Sequence, residues 1–217
     1  MDVDELQRQV EYKYAPGPLL AVQALANTYS VEDDEERLLN PQAVRDWLVE
    51  TGLALPSIEV DADDLERLRG FRQLIWGLLR SHLEADAEPD LAELARLAQA
   101  HPAPLTVTPA GELALDLDPV ESIDALVAQV LGIIFEAQAQ GKFDRLKICA
   151  SDECCWAFYD TSKNHSGTWC RMEECGNRVK NRRYRARRTA SLSAVGATAT
   201  DASAADAGPA PRSAGEC

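Results

Sequence analysis

The chain has 217 residues, 46% hydrophobic and 27% charged, a composition that suits one mid-sized domain plus a small one and excludes several large units. No apolar run reaches the ~18–20 residues that a membrane-spanning helix needs, and the first residues are acidic where a secretory signal would be basic and then apolar. The expected location is therefore the cytoplasm, with no membrane partner, where thiols stay reduced. The net charge of −14 argues against nucleic acid only as an average. Residues 1–141 carry 9 Lys+Arg and 27 Asp+Glu, whereas residues 142–188 carry 12 and 6. An acidic part is followed by a basic one, as in a protein whose two modules meet different partners.

In chain order, residues 1–14 lack periodicity and read as a loose lead-in. Over 18–29 the apolar positions Leu19, Val22, Leu25 and Ala26 recur at helical spacing. The acidic run 31–36 reads as a solvated loop. Asn40 followed by Pro41 is a capped helix start. Val44, Trp47 and Leu48 mark that helix's buried face, and Gly52 ends it. The carboxylates of 61–64 suit the N-terminus of the longest helix, whose stripe is Leu65, Leu68, Ile75, Leu78 and Leu79. Pro89 opens another helix, with Leu91, Leu94 and Leu97 expected to face inward. Leu105-Thr106-Val107, a Pro109-Ala110-Gly111 turn, and Leu113, Leu115 and Leu117 predict a β-hairpin. Residues 121–140 predict a central helix, apolar on much of its circumference and ended by Gly141. The tail 189–217 is dominated by Ala, Ser, Thr, Gly and Pro and predicts disorder.

Five of the six cysteines lie between 149 and 175 in a C-x4-C-x15-C-x4-C pattern, Cys149, Cys154, Cys170 and Cys175. In a reducing compartment such pairs point to metal, and four thiolates make a closed, structural zinc site. Trp156, Phe158, Tyr159 and Trp169 lie between the pairs and supply the bulk that so small a fold needs beside its metal. Cys155 could replace Cys154, and His165 could displace a thiolate; a small apolar filler and a polar loop residue are the plainer roles for them. Asp160 reads as a turn residue rather than a base.

Past Cys175, residues 176–188 hold Arg178, Lys180, Arg182, Arg183, Arg185, Arg187 and Arg188 with no acid. On a helix, Val179 and Ala186 share a narrow face that can dock on the finger while the arginines stay in solvent. Phosphate contact is the functional reading. A solvated charge run, or pairing with the acidic domain, is the plain one. Tyr184 could stack or simply pack.

The stretch from Arg145-Leu146-Lys147-Ile148-Cys149 through Trp156, Phe158, Asp160, Ser162 and Asn164 to Trp169-Cys170, with Cys175-Gly176-Asn177-Arg178 and its basic helix, resembles the CGNR zinc finger. The resemblance implies ligation by Cys149, Cys154, Cys170 and Cys175, and so Cys154 over Cys155. Upstream, Ala24-Leu25-Ala26-Asn27-Thr28, Trp47-Leu48 and Gly52-Leu53 resemble the ABATE domain that commonly precedes this finger, although the opening departs from that domain's usual Gly-Gly and Asp-Phe pattern. The implied function is a stress-related transcription regulator of a kind common in actinobacteria. The expected fold is mainly α with a small β-hairpin: an α-rich acidic domain over 1–141, a treble-clef-like zinc finger with a basic helix over 142–188, and the tail.

The leading functional reading is a zinc-dependent regulator that binds double-stranded DNA, its N-terminal domain sensing a small-molecule effector or forming a homodimer. RNA binding, and a protein-interaction or autoinhibited module in which the helix meets an acidic surface, use the same residues. An enzyme is disfavoured. Residues 1–141 hold no nucleophile–base set, phosphate loop or second metal cluster, and their histidines, His82 and His101, are far apart; surface or helix-end roles suit both.

Overall fold

A computed structural model describes residues 1–84 and 87–196, with side chains to Arg188. Among the described residues the fold is mainly α with three two-stranded antiparallel pairs. The N-terminal part holds α1 (Val3–Val10), α2 (Leu19–Ala26), α3 (Pro41–Glu50), α4 (Ala62–Ser81), α5 (Leu91–Ala100) and α6 (Ile123–Ala139). All eight residues of α2 are buried, because α1, α4 and α6 pack around it. Apolar residues on every side, with Gln23 the one polar exception, rather than a stripe, mark it as the centre.

The helix starts follow capping chemistry. Asn40 accepts from the Ala43 N–H with Pro41 behind it, and Asp61 and Asp64 form a reciprocal capping box at α4. Gly52, past the end of α3, has φ +65°, and a Cβ there would lie 2.8 Å from the Asp2 nitrogen. The chain start is threaded that closely because the Asp2 N–H donates to Thr51 O at 2.8 Å.

Several expectations are corrected. Residues 1–14 are no loose lead-in: α1 is capped by Asp2, and Leu6 and Val10 are fully buried. The run 31–36 closes a hairpin of β1 (Tyr29–Ser30) and β2 (Glu35–Glu36). It is not wholly solvated either, since Glu36 pairs at 2.6 Å with the buried guanidinium of Arg72. In α5, capped by Asp90, only Leu97 is buried and Leu91 is exposed. The expected hairpin forms as β3 (Leu105–Val107) and β4 (Leu113–Leu115), but Leu105, Val107 and Leu113 are exposed. Only Leu115 of the β4 leucines packs inward, toward Gly132 of α6, where a Cβ would meet it at 2.7 Å.

A 3-10 turn (Phe143–Arg145) leads into β5 (Leu146–Ile148), which pairs with β6 (Ala157–Tyr159). A wide π-type turn (Met172–Gly176) then opens α7 (Asn177–Gly196). The helical core does not stop at Gly141. Phe143, Leu146, Ile148, Cys155, Ala157 and Tyr159 belong to the same buried cluster as α2, α4 and α6. The last helix runs on to Gly196, into the stretch expected to be disordered; the remainder of that expectation, 197–217, lies outside the described residues.

Candidate functional site

Four buried cysteines converge where β5, β6 and α7 meet. Cys149 follows β5, Cys154 ends the intervening knuckle, Cys170 precedes the π-type turn and Cys175 lies within it. Their sulfurs all lie within 4.8 Å of one another. Cys154 and Cys170 are 3.6 Å apart, as are Cys170 and Cys175. A disulfide would need ~2.05 Å. A tetrahedral site with metal–thiolate bonds of ~2.3 Å sets its sulfurs ~3.8 Å apart. The cluster therefore fits a metal ion.

The electrostatics agree. Hydrogen bonds from Cys149 and Cys154, then Tyr12 and Cys175, hold the Cys170 thiol far below its ordinary range against burial. Hydrogen bonding to Cys149 and Cys170, and burial, push Cys154 far up. Burial and the charges of Cys149 and Cys170 push Cys175 up to about 12. Thiolates this close repel one another, and a divalent ion among them lets all four ionise.

Local geometry separates Cys154 from Cys155. Cys154 joins Cys149, Trp156, Phe158, Cys170 and Cys175 in the finger's own core. Cys155 has φ +51°, a left-handed residue that turns its side chain into the helical core. His165 sits on the polar loop, 3.6 Å from Asp144, and is not in the sulfur cluster. Asp160 organises that loop: its carboxylate accepts from the Ser162 and Gly167 N–H groups and from Lys147 Nζ, at 2.9, 2.7 and 2.9 Å. Lys147 also donates to His165 O and Gly167 O, so this buried pair has its remaining polar atoms satisfied. Burial alone would raise the Asp160 pKa; the bonds from Lys147, Ser162 and Gly167 outweigh it and hold it well below the carboxylate range.

The finger is seated on the helical part through contacts that the sequence did not show. Asn27 donates to Ala157 O at 3.0 Å and accepts from Ala157 N at 2.7 Å, replacing a strand partner at the end of β6. Gln23 donates to Ala157 O and Lys13 O and accepts from Ala15 N. Trp156 Nε1 donates to Val10 O, and Lys13 Nζ donates to Trp169 O while lying 4.8 Å from the Phe158 ring centre. The Tyr12 phenol, its pKa raised by burial and by a hydrogen bond to Cys170, covers the cluster. His82, at the end of α4, bonds Leu146 O at 2.7 Å. Each contact joins residues more than 60 positions apart except Gln23 with Lys13 and Ala15, and no local pattern announces them.

Two of the seven basic-helix cations, Arg178 and Arg182, pair with carboxylates of the knuckle and of the β1–β2 turn. Arg178 meets Glu32 of the β1–β2 turn at 2.5 Å and Glu153 of the knuckle at 3.6 Å. Arg182, one turn on, meets Glu153 at 3.0 Å and Asp152 at 3.2 Å. Both arginines are ion-paired while still partly exposed to solvent. Val179 is buried as expected, but Ala186 is exposed, so the helix docks by its first turn only. Lys180, Arg183 and Arg187 share the opposite face and are exposed, as are Arg185 and Arg188. Gly176 belongs to the seat as well: a Cβ there would meet Met172 Sδ at 2.4 Å, and Asn177 donates to Glu173 O at 3.0 Å.

The CGNR zinc finger family model matches residues 145–188. The ABATE family model, described as "putative stress-induced transcription regulator", matches residues 21–138. No curated protein matches the chain.

Proposed function

The chain belongs to the ABATE family and carries a CGNR zinc finger, and from that premise we propose that it is a zinc-dependent, DNA-binding transcription regulator. Cys149, Cys154, Cys170 and Cys175 hold one zinc ion, which supplies a closed structural anchor and no catalysis, because four thiolates leave no position for water. The ion joins the knuckle to the start of α7 and so fixes the direction in which the helix leaves the finger. Lys180, Arg183 and Arg187, with Tyr184 among them, present cations to the phosphates of a duplex. The acidic N-terminal domain, whose charge repels DNA, senses a stress signal or dimerises.

One observation carries this reading: a cationic face without a single acid over 177–188, attached at its root to a rigid, buried cluster. The test is to titrate the full zinc-loaded chain with duplex DNA and with RNA of the same sequence across a salt series. The expected result is duplex binding that weakens steeply with salt. Replacing Lys180, Arg183 and Arg187 by Ala should lower the log–log slope by about 2–3. No duplex binding at low salt sinks the proposal, and a preference for RNA reassigns the partner.

A further inference from the structure

The first turn of α7 is held by carboxylates at the edge of the fold. Arg178 lies between Glu32, which belongs to the N-terminal domain, and Glu153, which belongs to the knuckle; Glu153 bridges on to Arg182, and Arg182 to Asp152. The arrangement is a chain of alternating charge that begins on the β1–β2 turn and climbs one face of the helix. Arg178 and Arg182 are four residues apart, so both project toward the same side. Lys180, Arg183 and Arg187 project away from it.

We infer that the β1–β2 turn is an intramolecular competitor for the nucleic acid: Glu32 occupies the Arg178 guanidinium in the position that a backbone phosphate would take, and a polyanion reaching the root of the helix must displace it. This rests on the nucleic-acid reading given above. A carboxylate and a phosphate oxygen make the same charge-assisted, forked contact with Arg, so occupancy by one excludes the other at that donor. Glu32 sits on the four-residue connection 31–34 with Asp33 and Asp34, next to Glu35 of β2, so the competing field is that of a whole acidic turn. Linkage then makes the effect reciprocal. Polyanion binding loosens the N-terminal turn from the helix, and anything that moves the turn changes affinity by the same factor. The CGNR arginine is thereby a clasp between the two parts, with the cations of the opposite face as the first contact.

The test compares the full zinc-loaded wild-type chain with Glu32→Gln and, as a control for net charge, Glu59→Gln at an exposed position. Duplex affinity is measured at low salt, and amide hydrogen exchange over 177–182 is measured without DNA. The exposed pairs are individually weak, so Glu32→Gln should bind about 2- to 5-fold tighter than Glu59→Gln and should exchange faster over the first turn of α7. Equal affinities of the two variants overturn the inference. If neither the wild type nor any variant binds DNA, the nucleic-acid reading fails; the clasp itself then stands on faster exchange in Glu32→Gln and falls on unchanged exchange.

Discussion

Lys147 and Asp160 show how much one buried pair can organise. Both are nearly inaccessible, and the carboxylate gathers two backbone N–H groups from the loop that leads to Cys170. A buried pair costs desolvation to form, and removing one member strands the other. Replacing Lys147 by Met or Asp160 by Asn should therefore destabilise the chain by about 3 kcal/mol, read by denaturant unfolding; a loss near zero would mean that water reaches the site. The sign of the pH dependence follows from the depressed Asp160 pKa. Its contribution is full above the unfolded value of ~3.9 and is lost as pH falls through the lower folded value. Wild type should thus lose stability on acidification below pH ~4 more steeply than Asp160→Asn. The turn role of Asp160 was legible from its place in the loop. Its partner was not, because a lysine in a three-residue strand carries no sign of burial.

Among the elements, the knuckle and the π-type turn present the four sulfurs, and they make a prediction about adjacent residues. Cys154→Ser should lose bound zinc, measured as metal per chain, while Cys155→Ser should keep it close to wild type, since Cys155 faces the helical core. Metal retained in Cys154→Ser and lost in Cys155→Ser would reverse the assignment. The paired spacing pointed to the cluster directly, and proline or a capping side chain marked α3 and α4, because these signals act within a few residues. α1 escaped notice for the opposite reason. Its buried apolar residues are only Leu6 and Val10, beside the buried Glu5, too little pattern to stand out until the surface it covers is present. Likewise Leu91 has helical spacing but lies beyond the reach of the core, and the exposed leucines of β3–β4 show that alternation gives a strand's faces without saying whether one is covered.

At the scale of the whole molecule, the finger and the helical domain are one folded body joined through backbone groups. Asn27 satisfies both polar atoms of Ala157, Trp156 caps the end of α1 at Val10, and His82 reaches Leu146. The apolar core crosses the same seam. A metal site that exists only in the folded state adds its binding free energy to folding, and a shared core passes that stabilisation to the helices. Stripping the metal with a chelator should therefore lower the melting temperature of the helical signal as a whole, in far-UV circular dichroism, and not release the finger from an unchanged domain. Asn27→Ala sharpens the test. It leaves the buried Ala157 N–H without this partner, at about 1–3 kcal/mol, while the Ala157 carbonyl keeps only Gln23, so it should lower the helical melting temperature and speed zinc release to a colorimetric chelator together. Two separate transitions, only one of them moved by metal, would show that the finger folds by itself. A single transition would mean instead that the direction of the basic helix is set by the N-terminal domain as much as by the ion, which is the condition under which Glu32 can reach Arg178 at all.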